Sequence, residues 1–263
     1  MRDIAVVMSV AGNGAYFEFA SHSVPSFLKN NKSSDLFVFT DDVARIERIA
    51  GADTGRLCII DILGFFKKYE ELVRNLEASG VTDEQMSDRT KRYGFLHHHI
   101  FVSALLPFAE YYLREDERYS HILKIDCDSY FAGGDMMELV REDVLSSEDC
   151  ELFLVERRHP LMEFYSGGKP GVGFTLWRKG SRFIPQYIGQ FNGTEQVTIL
   201  NLYRKKAVKT RILTRPGHHF VRPFWKNKDV TKEMLEEFLP TYFHLHGIHG
   251  RENVKKLEEW FNV

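Results

Sequence analysis

"DIAVVMSV" (3–10) and "DLFVFT" (35–40) are nearly continuous apolar runs, and "HILKI" (121–125) carries a third through Ile122, Leu123 and Ile125. An amphipathic strand alternates, so nearly continuous runs of this length belong to strands covered on both faces, as in a mainly parallel sheet flanked by helices. Between the first two runs, "FEFASHSVPSFLKNN" carries apolar residues at helical spacing, and "RYGFLHHHIFVSALLPFAEYYL" (92–113) reads as a long helix with Pro107 as a kink. "RLCIID" (56–61), "CELFLVE" (150–156), "VGFTLWR" (172–178) and "VKTRIL" (208–213) are further strand candidates, and "TEQVTILNLYRKK" (194–206) is helical. This alternation predicts an α/β sandwich with a mainly parallel sheet and helices on both faces. Residues 1–263 contain no repeat, low-complexity tract or Pro/Gly/Ser linker, so one domain is expected. The closing "RENVKKLEEWFNV" (251–263) places Val254, Leu257, Trp260 and Phe261 on one side of an amphipathic helix, expected to pack back onto the domain.

Composition narrows the function classes. A formal net charge of −2 gives no global attraction to nucleic acid or an anionic membrane. No apolar run approaches the roughly 18 residues of a membrane span. Cys58, Cys127 and Cys150 are scattered, with no CxxC pair to indicate a disulfide framework or zinc knuckle. The start reads as a first strand rather than a signal peptide, so a soluble cytoplasmic protein is expected. Oligomeric state is not readable, although the C-terminal apolar stripe could support a dimer.

The third apolar run ends in Asp126-Cys127-Asp128. Residues i and i+2 of a strand face the same way, so a strand persisting through Asp128 projects both carboxylates together. Such carboxylates repel, and one is protonated unless a cation sits between them. Oxygen ligands at the carboxyl end of an α/β strand suit Mg²⁺ or Mn²⁺, which commonly bring phosphates. A solvated loop would carry the same two aspartates with no function.

With this motif the chain resembles the GT-A glycosyltransferases, in which an Asp-x-Asp ending a core strand binds a divalent metal on a nucleotide-sugar diphosphate. Further matches in order resemble the retaining glycosyltransferase family 8: "SVAGNGAY" with Asn13 and Tyr16, "KRYGFL" with Arg92, "PGVGFTLW", "GTEQVTILN" with Glu195-Gln196, and "HLHGIHGR" at 244–251. The resemblance implies a single GT-A, Rossmann-like domain, with residues 1–130 as the nucleotide-binding half and 131–263 as the acceptor side. It implies a metal held by Asp126, Asp128 and His244. It also implies a nucleotide site including Ala11, Asn13, Tyr16 and Asp41, and phosphate contacts from Arg92, Gly247 and Arg251. The family's closing Lys is Gly250 here, with Arg251 one residue on. On the far face of the sugar, Glu195 could attack or hold the acceptor, whereas Gln196, a poor nucleophile, would stabilise an oxocarbenium-like state. The implied partners are a UDP-sugar, with GDP-sugar as an alternative, and a glycan or other hydroxyl acceptor.

Other patterns compete. "HLHGIH" has the His-x-His-x-x-His spacing of a zinc hydrolase, but Ile248 stands where that family has Asp. "AGNGAY" lacks the third glycine of a dinucleotide loop. His97, His98 and His99 point three ways on a helix and cannot share one metal. Asp-x-Asp-Ser also resembles the haloacid dehalogenase phosphatases, in which the motif opens the chain; here it is mid-chain. A GT-A protein that binds sugar nucleotide or glycan without turnover is the non-enzymatic alternative.

Overall fold

The structure is a computed structural model that describes residues 4–12, 14–51, 55–62, 64, 96–147, 149–158, 170–192, 194–214, 219–221, 231–237, 239–244 and 250–261. The strands are β1 (Ile4–Val10), β2 (Asp35–Thr40), β3 (Leu57–Asp61), β4 (His121–Ile125), β5 (Ser129–Ala132), β6 (Leu152–Arg158), β7 (Pro170–Arg178), β8 (Thr210–Leu213), β9 (His219–Val221) and β10 (Thr241–His244). The helices, renumbered in chain order, are α1 (Gly14–Asn30), α2 (Val43–Ala50), α3 (Leu96–Tyr112), α4 (Met136–Leu145), α5 (Phe183–Gly189), α6 (Glu195–Arg204), α7 (Lys232–Glu236) and α8 (Gly250–Phe261).

Among the described residues, seven strands form a central sheet in the order β3-β2-β1-β4-β7-β6-β8. β3, β2, β1 and β4 are mutually parallel, β7 is antiparallel to both β4 and β6, and β8 is parallel to β6. The apolar runs are explained by this position. All of β1 is buried, with Ala5 and Val7 packed against α3, α5 and α6, and Ile4, Val6, Met8 and Val10 against α1, α2 and α4. Helix starts are set locally: the side chains of Asp42, Asp135 and Thr194 accept from Arg45, Met137 and Val197 N–H at the N-termini of α2, α4 and α6.

The last residues of β6 leave the central sheet and pair with β9, which continues through β10 to β5. This small second sheet, absent from the sequence reading, is covered by α8. Val254 and Leu257 pack with Tyr130, Ala132, Leu235 and Phe243, so the C-terminal helix folds back as expected. Two expectations are corrected. β4 ends at Ile125 rather than persisting through Asp128, and a turn at 126–128 leads into β5. The long helix is described from Leu96 to Tyr112 and continues through Pro107; residues 92–95 lie outside the described residues.

Candidate active site

The site is assembled where β1, β2 and β4 end. Past β1, Ala11 is buried and Gly12 adopts φ 88°, a left-handed conformation natural to glycine. Gly12 N–H donates to Asp41 Oδ2 at 2.9 Å, tying the turn after β1 to the end of β2. The other oxygen of Asp41, Oδ1, is buried without a hydrogen-bond partner among the described residues. Tyr16 stands in the first turn of α1. Burial raises its phenol pKa, and nearby Cys127, Asp128 and Asp126 push it further, so Tyr16 sits within the field of the acidic pair.

Although β4 stops short, the aspartates still converge. Asp126 N–H donates to the Gly173 carbonyl at 3.1 Å, and β5 begins immediately after Asp128. The antiparallel register of β5 with β10 sets His244 opposite Ser129, and so beside Asp128. His244 Nε2 lies 3.0 Å from Asp128 Oδ1 and 3.5 Å from Asp126 Oδ2. One ligand atom from each of the three residues falls within 4.8 Å of the others. Burial opposes the imidazolium, but Asp128 and then Asp126 outweigh it, and the pKa of His244 is raised. Two carboxylate oxygens and an imidazole nitrogen at this separation suit a divalent cation such as Mn²⁺ or Mg²⁺. Cys127 points into the core; burial and the two aspartates raise its thiol well above the ordinary value, so it stays protonated.

Behind the aspartates lies a residue that motif reading missed. Lys124, only 3% exposed, bonds Asp126 Oδ1 and sits 2.9 Å from Glu195 Oε1. Burial works against its charge, but the two carboxylates outweigh it and raise the ammonium pKa. Glu195, 5% exposed in the first turn of α6, has its pKa raised by burial, with Lys124 opposing and Asp126 adding to the shift. The neighbouring Gln196 is exposed. The available signal for Lys124 was a lysine inside an otherwise apolar strand, which needs anionic partners to be buried.

The remaining nominated residues are not brought to the site by the described structure. Asn13, Arg92 and Gly247 lie outside the described residues, as do His246 and His249. Arg251 is in the first turn of α8, with its side chain outside the description, as are those of His97, His98 and His99 in α3.

No protein-family model and no curated protein matches the sequence. Solved structures do match. The chain superimposes on mouse xyloside xylosyltransferase 1 in its apo form with a TM-score of 0.59 at 10% identity, covering 94% of this chain and 99% of that one. It also matches the glycosyltransferase GlyE of Streptococcus pneumoniae TIGR4, with a TM-score of 0.49 at 13% identity, covering 94% of this chain and 56% of that one. The first likeness shows the GT-A fold of glycosyltransferases.

Proposed function

We propose that this chain is a metal-dependent glycosyltransferase that moves a sugar from a nucleotide-diphosphate donor, UDP-sugar in the first instance, to a hydroxyl of a glycan or other acceptor. The observation that carries the proposal is the delivery of His244 by a separate sheet onto Asp126 and Asp128, at the strand ends of a GT-A fold. Asp126, Asp128 and His244 would hold Mn²⁺ or Mg²⁺, which supplies positive charge where the diphosphate leaves.

The chain's own groups do the rest. Asp41 Oδ1, buried and without a hydrogen-bond partner among the described residues, supports acceptance of a base N–H, which uracil and guanine both offer. Ala11, Asn13 and Tyr16 complete the base and ribose side, and Arg92, Gly247 and Arg251 the phosphate side. A guanidinium there adds a charge-assisted hydrogen bond that strengthens as the leaving group gains charge. Gln196 is the candidate for stabilising the sugar's far face. Glu195, the other candidate, has its carboxylate against Lys124. Retention, and the family 8 likeness behind it, belong to this proposal. So does the division into a nucleotide-binding half at 1–130 and an acceptor half at 131–263, acting as one domain. The GT-A likeness over 94% of the chain favours transfer over the phosphatase alternative. Among the described residues no helix is long and apolar enough to cross a membrane.

The test is calorimetric titration of UDP and GDP, each with Mn²⁺ and with EDTA, on wild type and Asp128→Ala. Metal-dependent binding that the variant loses supports the proposal and names the base. Absence of binding by either nucleotide with any metal refutes it.

A further inference from the structure

Lys124 is out of place by composition. Its neighbours across the sheet are Val7 of β1 and Thr175 of β7, and its face of β4 belongs to the helix-covered core with Ile122. An ammonium is retained in such a setting only by close carboxylates, and among the described residues these are Asp126 and Glu195. They are not equivalent. Glu195 is held in place by α6, whose N-cap Thr194 sets the first turn and whose N-terminal end favours an anion. Asp126 is the residue that faces the candidate metal corner. Its carboxylate is divided: Oδ1 meets Lys124, and Oδ2 faces His244.

We infer that Lys124 is a positioning residue that fixes Asp126 as a one-oxygen metal ligand, with Glu195 as its anchor, and so makes the site select Mn²⁺ or Mg²⁺ over Ca²⁺. The inference rests on the metal-site reading above. With Oδ1 engaged by Lys124, Asp126 cannot close a two-oxygen chelate without breaking a partly buried ion pair. Ca²⁺ takes six to eight oxygens and readily accepts bidentate carboxylates, whereas the smaller Mg²⁺ demands near-octahedral geometry with single-oxygen contacts. A carboxylate held by one oxygen therefore disfavours the larger ion. The supporting shell around a metal ligand acts in this way generally, by fixing its orientation.

The double variant Lys124→Met/Glu195→Gln removes one positive and one negative charge, leaving the formal charge of the site unchanged. A change in metal affinity then reports position rather than net field. Free Mn²⁺ would be counted by electron paramagnetic resonance on the nucleotide-free protein, with Ca²⁺ as competitor and thermal unfolding as the check on folding. The expected result is a loss of Mn²⁺ affinity of about 10–100-fold, with Ca²⁺ losing less, so that the preference for Mn²⁺ narrows. Wild-type affinity and preference in the folded variant would overturn the inference while leaving the metal site standing. An equal loss for both ions would also overturn it, because a general loosening does not discriminate. Should the double variant fail to fold, Glu195→Gln alone, which keeps Lys124 but weakens its anchor, must narrow the same preference. A wild type that binds no Mn²⁺ would remove the metal reading and this inference together.

Discussion

Substituting His244→Gln separates proton and metal competition from the rest of the site. In the metal-free protein the imidazolium lies between Asp128, at 3.0 Å, and Asp126, at 3.5 Å, and its pKa is raised above 6.5. A raised pKa means that protonation stabilises the fold: this contribution is fully present below the unfolded value and is lost as pH rises through the folded one. A metal ligand must be neutral, so the cation competes with that same proton. Mn²⁺ at a hundredfold excess over its Kd stabilises a folded protein by about 2.7 kcal/mol. Each pH unit below the pKa of His244 weakens metal binding about tenfold, or about 1.4 kcal/mol. At roughly 2–4 °C per kcal/mol for a chain of this size, the Mn²⁺-induced rise in Tm shrinks by roughly 3–6 °C per pH unit over that range. The assay is thermal unfolding of wild type and variant at pH 7.5 and 6.0, in Mn²⁺ and in EDTA. His244→Gln should show a small rise with little pH dependence. A wild-type rise that is equal at the two pH values, or a variant that keeps the wild-type pH dependence, would refute the reasoning.

Two further predictions concern the scaffold. Glu151 accepts from Arg182 Nε and Nη2 and from the Arg182 and Lys209 N–H groups, and its pKa is lowered to about 2, chiefly by the Arg182 hydrogen bond. Its contribution is present above the unfolded pKa of 4.5 and is lost as pH falls towards 2. Because Arg182 is largely exposed, screening reduces it to about 1 kcal/mol or less. Glu151→Gln should lose that amount in urea unfolding at pH 7, with the gap to wild type closing as pH falls below 4.5; a constant gap would refute the clamp. Gly133 has φ 83°, and an added Cβ would lie 2.6 Å from Leu239. Gly133→Ala should cost at least about 2 kcal/mol from strain plus overlap. Wild-type stability of Gly133→Ala in urea unfolding would show that the Leu239 contact yields and the conformation tolerates a side chain.

What could be read from the sequence follows from the range over which each element is specified. β1, β2 and β7 were visible because burial on both faces leaves a local trace, a nearly continuous apolar run, and β3, β4, β6 and β8 were visible from shorter apolar stretches. α2, α4 and α5 were not singled out, and the three- and four-residue strands β5, β9 and β10 are too short to show a period. Their pairing comes from distant partners: β5 finds β10 across most of the second half of the chain.

The site divides along the same line. Asp126 and Asp128 were identified from spacing, although the expected reason, strand alternation, is replaced by a turn that still converges them. His244 was reached only through a family likeness. Its place beside Asp128 is decided by the β5–β10 register, a non-local pairing that no single-chain pattern contains. Lys124 and Glu195 meet because α6 lays its first turn against β4. By itself the sequence determined an α/β sheet with two carboxylates at a strand end, since local periodicity and burial are written residue by residue. Only the tertiary structure decided which nitrogen and which ammonium those carboxylates meet, because long-range packing brings groups together without regard to their distance along the chain.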